Sequence, residues 1–216
     1  DKEIAKDDFH KLLDFISANK KEQINRFHRF EDRLTSLLGA ILVRYAICKR
    51  VGTRNRELVF GTNDYGKPID FNISHSENWV VCAVADHNVG LDAEKLKPIN
   101  YKVAERFFSS DEYRSLLSQP VELRLKYFYM IWTLKESFIK AEGRGFSIPL
   151  NAFTIKIESK STYVIMDNQV REYNFYHSFL DSETSYAICT KNSDIKENTY
   201  RNIETFFDEV KSIVKP

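Results

Sequence analysis

The sequence contains few of the residues that interrupt a chain or cross-link it. Its 216 residues include only 7 Gly, 5 Pro and 3 Cys. So little Gly and Pro excludes collagen-like and low-complexity proteins. The odd number of Cys, without close spacing, argues against a disulfide framework and against a zinc site. Cys48, Cys82 and Cys189 each lie in an apolar segment, which is typical of buried thiols in a reducing cytoplasm.

Long apolar runs and an excess of one charge are also absent from the sequence. The sequence has no run of about 18 or more apolar residues, which a membrane-spanning helix would need. The first residues, DKEIAKDDFH, lack the apolar core of a signal peptide. We therefore expect a cytoplasmic protein without a membrane partner. The net charge is +1, from 32 Lys and Arg against 31 Asp and Glu. A protein that coats nucleic acid would be strongly basic, so we expect no nucleic-acid partner.

Segments in which apolar residues recur at helical spacing alternate along the sequence with segments that have strand-like spacing. Helices are predicted over residues 8–17, 31–50, 121–142 and 199–214, and strands over 57–61, 71–76, 80–85, 89–94, 153–157, 162–166, 173–179 and 186–190. Ser109 and Glu112 have the spacing of a capping box, which predicts another helix start. This order predicts an α+β fold with two similar halves that meet near 86–90. Ligand pockets are common at such junctions.

Positive charge is concentrated in one part of the chain. Residues 20–56 contain ten Lys or Arg but only three acidic residues, a net charge of +7. Two interpretations are open, namely a solvated helix face and a surface that binds phosphate groups.

Two carboxylates alternate within the predicted strand VGLDAEK. Side chains at i and i+2 of a strand share one face, so Asp92 and Glu94 project together. The simpler interpretation is a pair of solvated surface residues. The functional one is a cation site, because a hard divalent cation relieves the repulsion between neighbouring carboxylates. Ligands that are all oxygen favour Mg²⁺ or Mn²⁺ over Zn²⁺.

A third carboxylate lies in the segment WTLKESFIKAEGRG. Glu136 and Lys140 are four residues apart on one face of a predicted helix, so an exposed salt bridge beside a core Trp132 is the simpler interpretation. Glu136 is nevertheless surrounded by apolar residues and needs a cation or donors nearby. It could be a third metal ligand, with Lys140 meeting a phosphate on that metal. Lys135 points about 100° away and is expected to be structural or peripheral.

A turn followed by a strand carries a third group of polar residues, in DYGKPIDFNISHS. Asn72, Ser74 and Ser76 share one face of the strand, and His75 lies on the other. A lone His is usually structural, but with Lys67 nearby it could donate to an anion.

Together these signals indicate a Mg²⁺-dependent enzyme that acts on a phosphate ester or anhydride. The sequence has no G-x-x-x-x-G-K-[ST], G-x-G-x-x-G, H-E-x-x-H or G-x-S-x-G motif, which argues against P-loop, dinucleotide-binding, zincin and serine-hydrolase mechanisms. A nuclease or phosphohydrolase and a non-catalytic nucleotide-binding module both remain open at this point.

Five segments taken together resemble the surfactin-type branch of the 4′-phosphopantetheinyl transferases. They are YGKP (65–68), FNISHS (71–76), VGLDAEKLKP (89–98), RFFSSDEY (106–113) and WTLKESFIKAEGRG (132–145). The resemblance implies a monomer of two α/β subdomains related by pseudo-twofold symmetry, here residues 1–87 and 88–216. It also implies transfer of the 4′-phosphopantetheine arm of coenzyme A (CoA) to a serine of an apo acyl or peptidyl carrier protein, releasing adenosine 3′,5′-bisphosphate.

The resemblance also assigns roles to residues. It implies that Asp92, Glu94 and Glu136 bind Mg²⁺, with Mn²⁺ possible, and that Lys140 lies near the CoA phosphates. The serine hydroxyl must lose its proton as it attacks, and Glu136, directly or through a metal-bound water, is the best candidate for the base. The positions that match the family's nucleotide contacts are Lys20, Ser36, Gly66, Lys67, Pro68, Ser74 and His75.

The carrier is expected to dock on the segment 95–118, which combines lysines with apolar residues. In the family the corresponding region receives the carrier protein. We expect at least one of Phe107 and Phe108 to be in the core, and the more exposed of the two to contact the carrier.

Overall fold

The computed structural model describes residues 6–60, 69–159, 161–191, 195 and 203–213. Their contacts divide the chain into two compact units, Asp1–Lys67 with Lys196–Pro216 and Pro68–Ile195. The predicted boundary between residues 87 and 88 lies inside the second unit, and the two-subdomain division stays a prediction.

Helices and strands alternate along the described chain. The helices are α1 (Lys6–Leu13), α2 (Ala18–Asn25), α3 (Phe30–Val51), α4 (Lys102–Phe107), α5 (Ser110–Ser118), α6 (Val121–Glu142) and α7 (Ile203–Ile213). The strands are β1 (Asp70–Ser76), β2 (Trp79–Ala85), β3 (Val89–Lys95), β4 (Phe153–Ile157), β5 (Thr162–Met166), β6 (Gln169–Arg171), β7 (Asn174–Asp181) and β8 (Thr184–Thr190). No helix in these ranges is long and apolar enough to cross a membrane.

The first unit is helical. Its core is formed by apolar side chains of α1, α3 and α7: Phe9, Leu12, Leu37, Ile41, Phe206 and Val210. Their spacing of three and four residues puts them on one face of each helix. Tyr45 of α3 also donates a hydrogen bond to Glu209 of α7.

The strand predicted over 57–61 is wrong for residues 57–60. Asn55–Glu57 form a turn of 3₁₀ helix instead. The Glu57 carboxylate accepts hydrogen bonds from Arg54 N at 3.1 Å and Thr53 Oγ1 at 2.7 Å, which closes the turn. Val59 is 93% exposed, so the apolar run has no core to pack against.

The described residues of the second unit form three antiparallel sheets, with strand orders β1-β2, β3-β8-β7 and β4-β5-β6. Helix α6 contacts β3 and β8. Leu134 and Phe138 of this helix are buried with Phe153 and Ile155 of β4. This mixture of helices and antiparallel sheets confirms the predicted α+β class.

Helix α5 begins at the predicted capping box. Ser109 Oγ accepts from Glu112 N at 3.3 Å, and a Glu112 carboxylate oxygen accepts from Ser109 N at 2.7 Å. Of the two neighbouring phenylalanines, Phe108 is buried and Phe107 is only partly buried, as expected for one core residue.

Strand β3 is held on its two edges by different means. One edge pairs with β8 through the backbone. On the other edge, four β1 side chains accept hydrogen bonds from alternate β3 amides, and we call this set the polar ladder. Its rungs are Val89 N to Asp70 Oδ2 (2.9 Å), Leu91 N to Asn72 Oδ1 (3.1 Å), Ala93 N to Ser74 Oγ (3.2 Å) and Lys95 N to Ser76 Oγ (2.7 Å). The ladder satisfies amides that would otherwise be left without acceptors.

Gly90 allows α6 to pack directly on β3. A Cβ added at Gly90 would collide with the carbonyl oxygen of Ser137 and the amide nitrogen of Ala141, both in the helix backbone. Backbone atoms cannot move aside as a flexible side chain can. A glycine is therefore required where the two elements meet.

We predict that Gly90→Ala destabilises the second unit by about 3 kcal/mol or more, because overpacking forces the backbone apart. Gly143→Ala is the matched control, since its φ is +68° with no atom within 4 Å of the added Cβ; it should cost about 1 kcal/mol. Urea unfolding followed by the fluorescence of Trp79 and Trp132, both in the second unit, measures the two effects. Equal midpoints for Gly90→Ala and wild type would contradict the packing argument.

Candidate active site

A cleft of about 450 Å³ opens in the second unit where β1, β3 and α6 meet. Both polar and apolar side chains line it, and they are Ile73, Ser74, His75, Asp92, Glu94, Trp132, Glu136 and Lys140. The three carboxylates and the lysine singled out in the sequence therefore share one cleft.

Asp92 is the most buried charged group in the cleft, at 4% exposure. Its Oδ1 accepts from Lys140 Nζ at 2.7 Å and from the Ser74 hydroxyl at 3.2 Å. Its Oδ2 is buried and has no hydrogen-bond partner among the described residues. A buried carboxylate oxygen without a donor is unfavourable, so this atom offers a position for a cation or a donor supplied by a ligand.

Lys140 joins α6 to β3. In addition to Asp92, its Nζ donates to the carbonyl oxygen of Leu91 at 3.0 Å and to Ser74 Oγ at 3.4 Å. Glu136 is not among these three partners, although its four-residue spacing from Lys140 suggests a salt bridge between the two. Lys140 thus pairs across the cleft.

Two of the three carboxylates of the cleft have a raised affinity for protons. Burial, and then the negative charge of Asp92, raise the pKa of Glu94 to about 7, with Glu136 adding to the effect and Lys140 opposing it. Burial and the charge of Asp92 also raise the pKa of Glu136. A site in which several carboxylates resist ionisation favours a bound cation.

The residues fit a hard divalent cation by their chemistry. All three donors are carboxylates, one of them with an orphan buried oxygen, and Mg²⁺ prefers such ligands. Within the described ranges, however, no three His, Cys, Asp or Glu side chains are gathered closely enough to hold a metal ion.

Comparison with known proteins assigns the chain to a family. The model of the 4′-phosphopantetheinyl transferase superfamily matches residues 88–191, and that of the 4′-phosphopantetheinyl transferase N-terminal region matches residues 3–87. The 4′-phosphopantetheinyl transferase Sfp of Bacillus subtilis is 35% identical over 206 residues, which cover 92% of each chain. The chain belongs to the 4′-phosphopantetheinyl transferases. This finding confirms the resemblance drawn from the motifs and does not favour a nuclease or phosphohydrolase.

Two further comparisons accompany this transferase assignment. The 4′-phosphopantetheinyl transferase psf-1 of Bacillus pumilus is 38% identical over 200 residues, covering 87% of this chain and 84% of the relative. A solved holo-(acyl-carrier-protein) synthase from Bacillus anthracis matches 48% of this chain and 93% of its own at 18% identity and a TM-score of 0.40. At that score the structural likeness adds nothing to the assignment.

The predicted nucleotide contacts of the transferase are distributed over the chain. Ser74 and His75 line the cleft. Lys20 on α2 and Ser36 on α3 belong to the first unit. Gly66, Lys67 and Pro68 lie outside the described residues.

Lys135 has the structural role, one of the two expected of it. It is fully buried, and its Nζ donates to both carboxylate oxygens of Glu112, at 2.8 and 2.7 Å, and to the carbonyl of Phe153 at 2.8 Å. Burial lowers the pKa of Lys135 to about 8, while Glu112 opposes the shift. The pair anchors α6 to α5 and β4 at the residue preceding Glu136.

The Leu91 carbonyl as a partner of Lys140 and the polar ladder around it are not predicted from the sequence. A signal for the ladder exists in the sequence, because DFNISHS places four polar residues at alternate strand positions. An entire polar face on a strand indicates side chains that bond to a neighbouring element. Which element they meet depends on tertiary structure.

Proposed function

We propose that this transferase moves the 4′-phosphopantetheine arm of CoA to a serine hydroxyl of an apo acyl or peptidyl carrier protein. The products are the holo carrier and adenosine 3′,5′-bisphosphate. The observation that carries the proposal is the cleft that brings Asp92, Glu94, Glu136 and Lys140 together in a chain of this family. Its mixture of carboxylates with one lysine suits a charged diphosphate better than an apolar substrate.

Mg²⁺, or Mn²⁺, is the cofactor we propose, held by Asp92, Glu94 and Glu136. When bound, it would supply neutralising charge for the diphosphate and its leaving group. The orphan Oδ2 of Asp92 and the raised pKa of Glu94 support this assignment.

Glu136 is the group we assign to receive the proton of the carrier serine. The serine oxygen forms a bond to the β-phosphorus of CoA as the bond from that phosphorus to the bridging oxygen breaks. The electron pair leaves with the nucleotide and the hydroxyl proton passes to Glu136. Burial and Asp92 raise the pKa of Glu136, which makes its carboxylate a stronger base near neutral pH.

Lys140 supplies the positive charge for the phosphates of CoA. Its ammonium is already in the cleft, held by Asp92 Oδ1 and the Leu91 carbonyl. A lysine held in this way needs little reordering to meet an anion, and positioning accounts for much of the catalysis of phosphoryl transfer.

The remaining assignments extend the proposal to the whole chain. Residues 1–87 supply nucleotide contacts and residues 88–216 supply the metal ligands and the carrier-docking surface, in a pseudo-twofold monomer. The +7 charge of residues 20–56 supports phosphate binding in the first part. We propose that the protein acts in the cytoplasm without nucleic acid or membrane partners. The nucleotide contacts are assigned to Lys20, Ser36, Gly66, Lys67, Pro68, Ser74 and His75.

The carrier-docking surface includes Phe107. Its ring meets the ring of Trp132 edge-on, with centroids 5.8 Å apart, and Trp132 lines the cleft. Arg106 also lies over the Phe107 ring, with its guanidinium carbon 5.1 Å from the ring centroid. A carrier helix that contacts Phe107 would therefore bring its serine close to the cleft.

Glu136→Gln tests the catalytic assignment. The variant keeps the side-chain shape but cannot accept the proton, so transfer to an apo carrier should fall at least about 100-fold. CoA affinity measured in EDTA should stay within about twofold. Mass spectrometry of the carrier, together with release of adenosine 3′,5′-bisphosphate, measures the transfer.

The matched control is Glu142→Gln on the same helix, whose carboxylate accepts from the Tyr173 hydroxyl. It should transfer at the wild-type rate. Unchanged turnover in Glu136→Gln would remove the base assigned here, and hydrolysis of CoA or nucleic acid by wild-type protein without a carrier would favour the phosphohydrolase alternative.

Phe107→Ala tests the docking surface. Removing a partly buried ring from a contact with the carrier should raise the KM for the carrier about tenfold and leave the KM for CoA unchanged. Val170→Ala, at an exposed position of β6, is the control. A carrier KM that does not change in folded Phe107→Ala protein would show that Phe107 is not in the interface.

A further inference from the structure

Glu77 lies in the tight turn between β1 and β2. The two strands pair as far as Ser76 and Trp79, which leaves Glu77 and Asn78 as the residues of the turn. The φ of Glu77 is +47°, in the left-handed region that favours Gly or Asn. A residue that keeps such a backbone conformation without being of a type that suits it is a candidate for a functional role.

The side chain of Glu77 joins this turn to the beginning of the carrier-docking segment, residues 95–118. One of its carboxylate oxygens lies 2.9 Å from Lys95 Nζ, and the other lies 3.1 Å from Lys97 Nζ. The hydrogen bonds from Lys95 and Lys97 lower the pKa of Glu77, so its carboxylate is ionised at neutral pH. One negative charge is therefore shared between two lysines of the segment.

These two lysines lie beside the cleft. Lys95 directly follows the cleft residue Glu94 in β3. Lys97 N donates to the Tyr129 hydroxyl of α6 at 3.2 Å, and that hydroxyl donates to the Lys97 carbonyl at 3.3 Å. Because β3 and α6 are two walls of the cleft, a carrier whose serine enters it comes close to both ammonium groups.

The docking segment has an excess of positive charge, which fits an acidic partner. Residues 95–118 contain five Lys or Arg and three acidic residues, and one of the three, Glu112, is buried in its pair with Lys135. Opposite charges across an interface speed the encounter of two proteins and select among partners. Glu77 is outside this segment in the sequence but adds its negative charge to it in the structure.

We propose that Glu77 is a specificity-determining residue, whose carboxylate neutralises Lys95 and Lys97 and so limits the preference of the transferase for acidic carriers. The inference rests on the proposed transfer to a carrier and deepens it. An uncharged residue at position 77 would leave both lysines to attract carrier carboxylates. It would also remove a negative charge that repels them, and repulsive elements of this kind help to set specificity.

Glu77→Gln, tested as the full chain, removes the charge and keeps the side-chain shape. The substrates are one apo carrier and a variant of it in which two surface carboxylates near the serine are changed to amides. At low ionic strength, the ratio of kcat/KM for the acidic carrier to that for its variant should rise about threefold over wild type. The KM for CoA should not change. The rise should disappear in about 0.5 M NaCl, where the Debye length is about 4 Å.

Asp167→Asn is the matched control. Asp167 also has a positive φ, in the turn between β5 and β6, and its carboxylate also pairs with a basic residue, Arg171 at 2.8 Å. The variant loses the same charge without releasing a lysine of the docking segment, so its ratio should match that of wild type. Glu77→Gly removes the charge and suits the positive φ, and it gives the same test if Glu77→Gln does not fold.

Three results would overturn the role of Glu77 in specificity. They are an unchanged ratio in Glu77→Gln or Glu77→Gly, a fall in kcat/KM for the acidic carrier, and a rise in the ratio that persists at high salt. Failure of the proposed function would be visible in the wild-type protein instead, as an absence of transfer from CoA to either carrier.

Discussion

The ionic contact between Lys140 Nζ and Asp92 Oδ1, 2.7 Å long, joins helix α6 to strand β3, and the geometry of the cleft depends on it. Asp92 is almost completely buried. Removing one partner of such a pair would leave the other charge buried and unpaired, at a cost of about 3–5 kcal/mol. Gly90 lets the backbone of α6 approach the same strand closely.

Two other sets of contacts hold β3 and α6 in place. The polar ladder fixes β3 from the side of β1, and the buried pair of Lys135 and Glu112 fixes α6 next to Glu136. A rigid frame of this kind suits phosphoryl transfer, in which the protein contributes mainly positions and charges. Unfavourable electrostatic energy is concentrated in the cleft, where burial and then the neighbouring carboxylates raise the pKa of Glu94 to about 7. A bound cation would relieve it.

Much of this arrangement could be predicted from short-range periodicity. Strand side chains alternate between two faces, so the spacing of two residues predicts that Asp92 and Glu94 share one face. On a helix, the spacing of four residues predicts that Glu136 and Lys140 share one face. For Lys135, about 100° away around that helix, the sequence predicts a structural or a peripheral role, and the structure shows the structural one, a buried ion pair. The contacts across elements could not be predicted, because Lys140 meets Asp92 and Ser74 only through tertiary packing. The strand predicted at 57–61 failed for a local reason, since the Glu57 carboxylate closes a turn.

The central claim is that the carboxylates of β3 and α6 hold a divalent cation beside the phosphates of CoA. Anomalous diffraction from crystals grown with CoA and Mn²⁺ tests it most directly. The account predicts a Mn²⁺ peak within bonding distance of carboxylate oxygens from Asp92, Glu94 and Glu136. A structure with bound CoA in which Mn²⁺ lies away from these three side chains would contradict it.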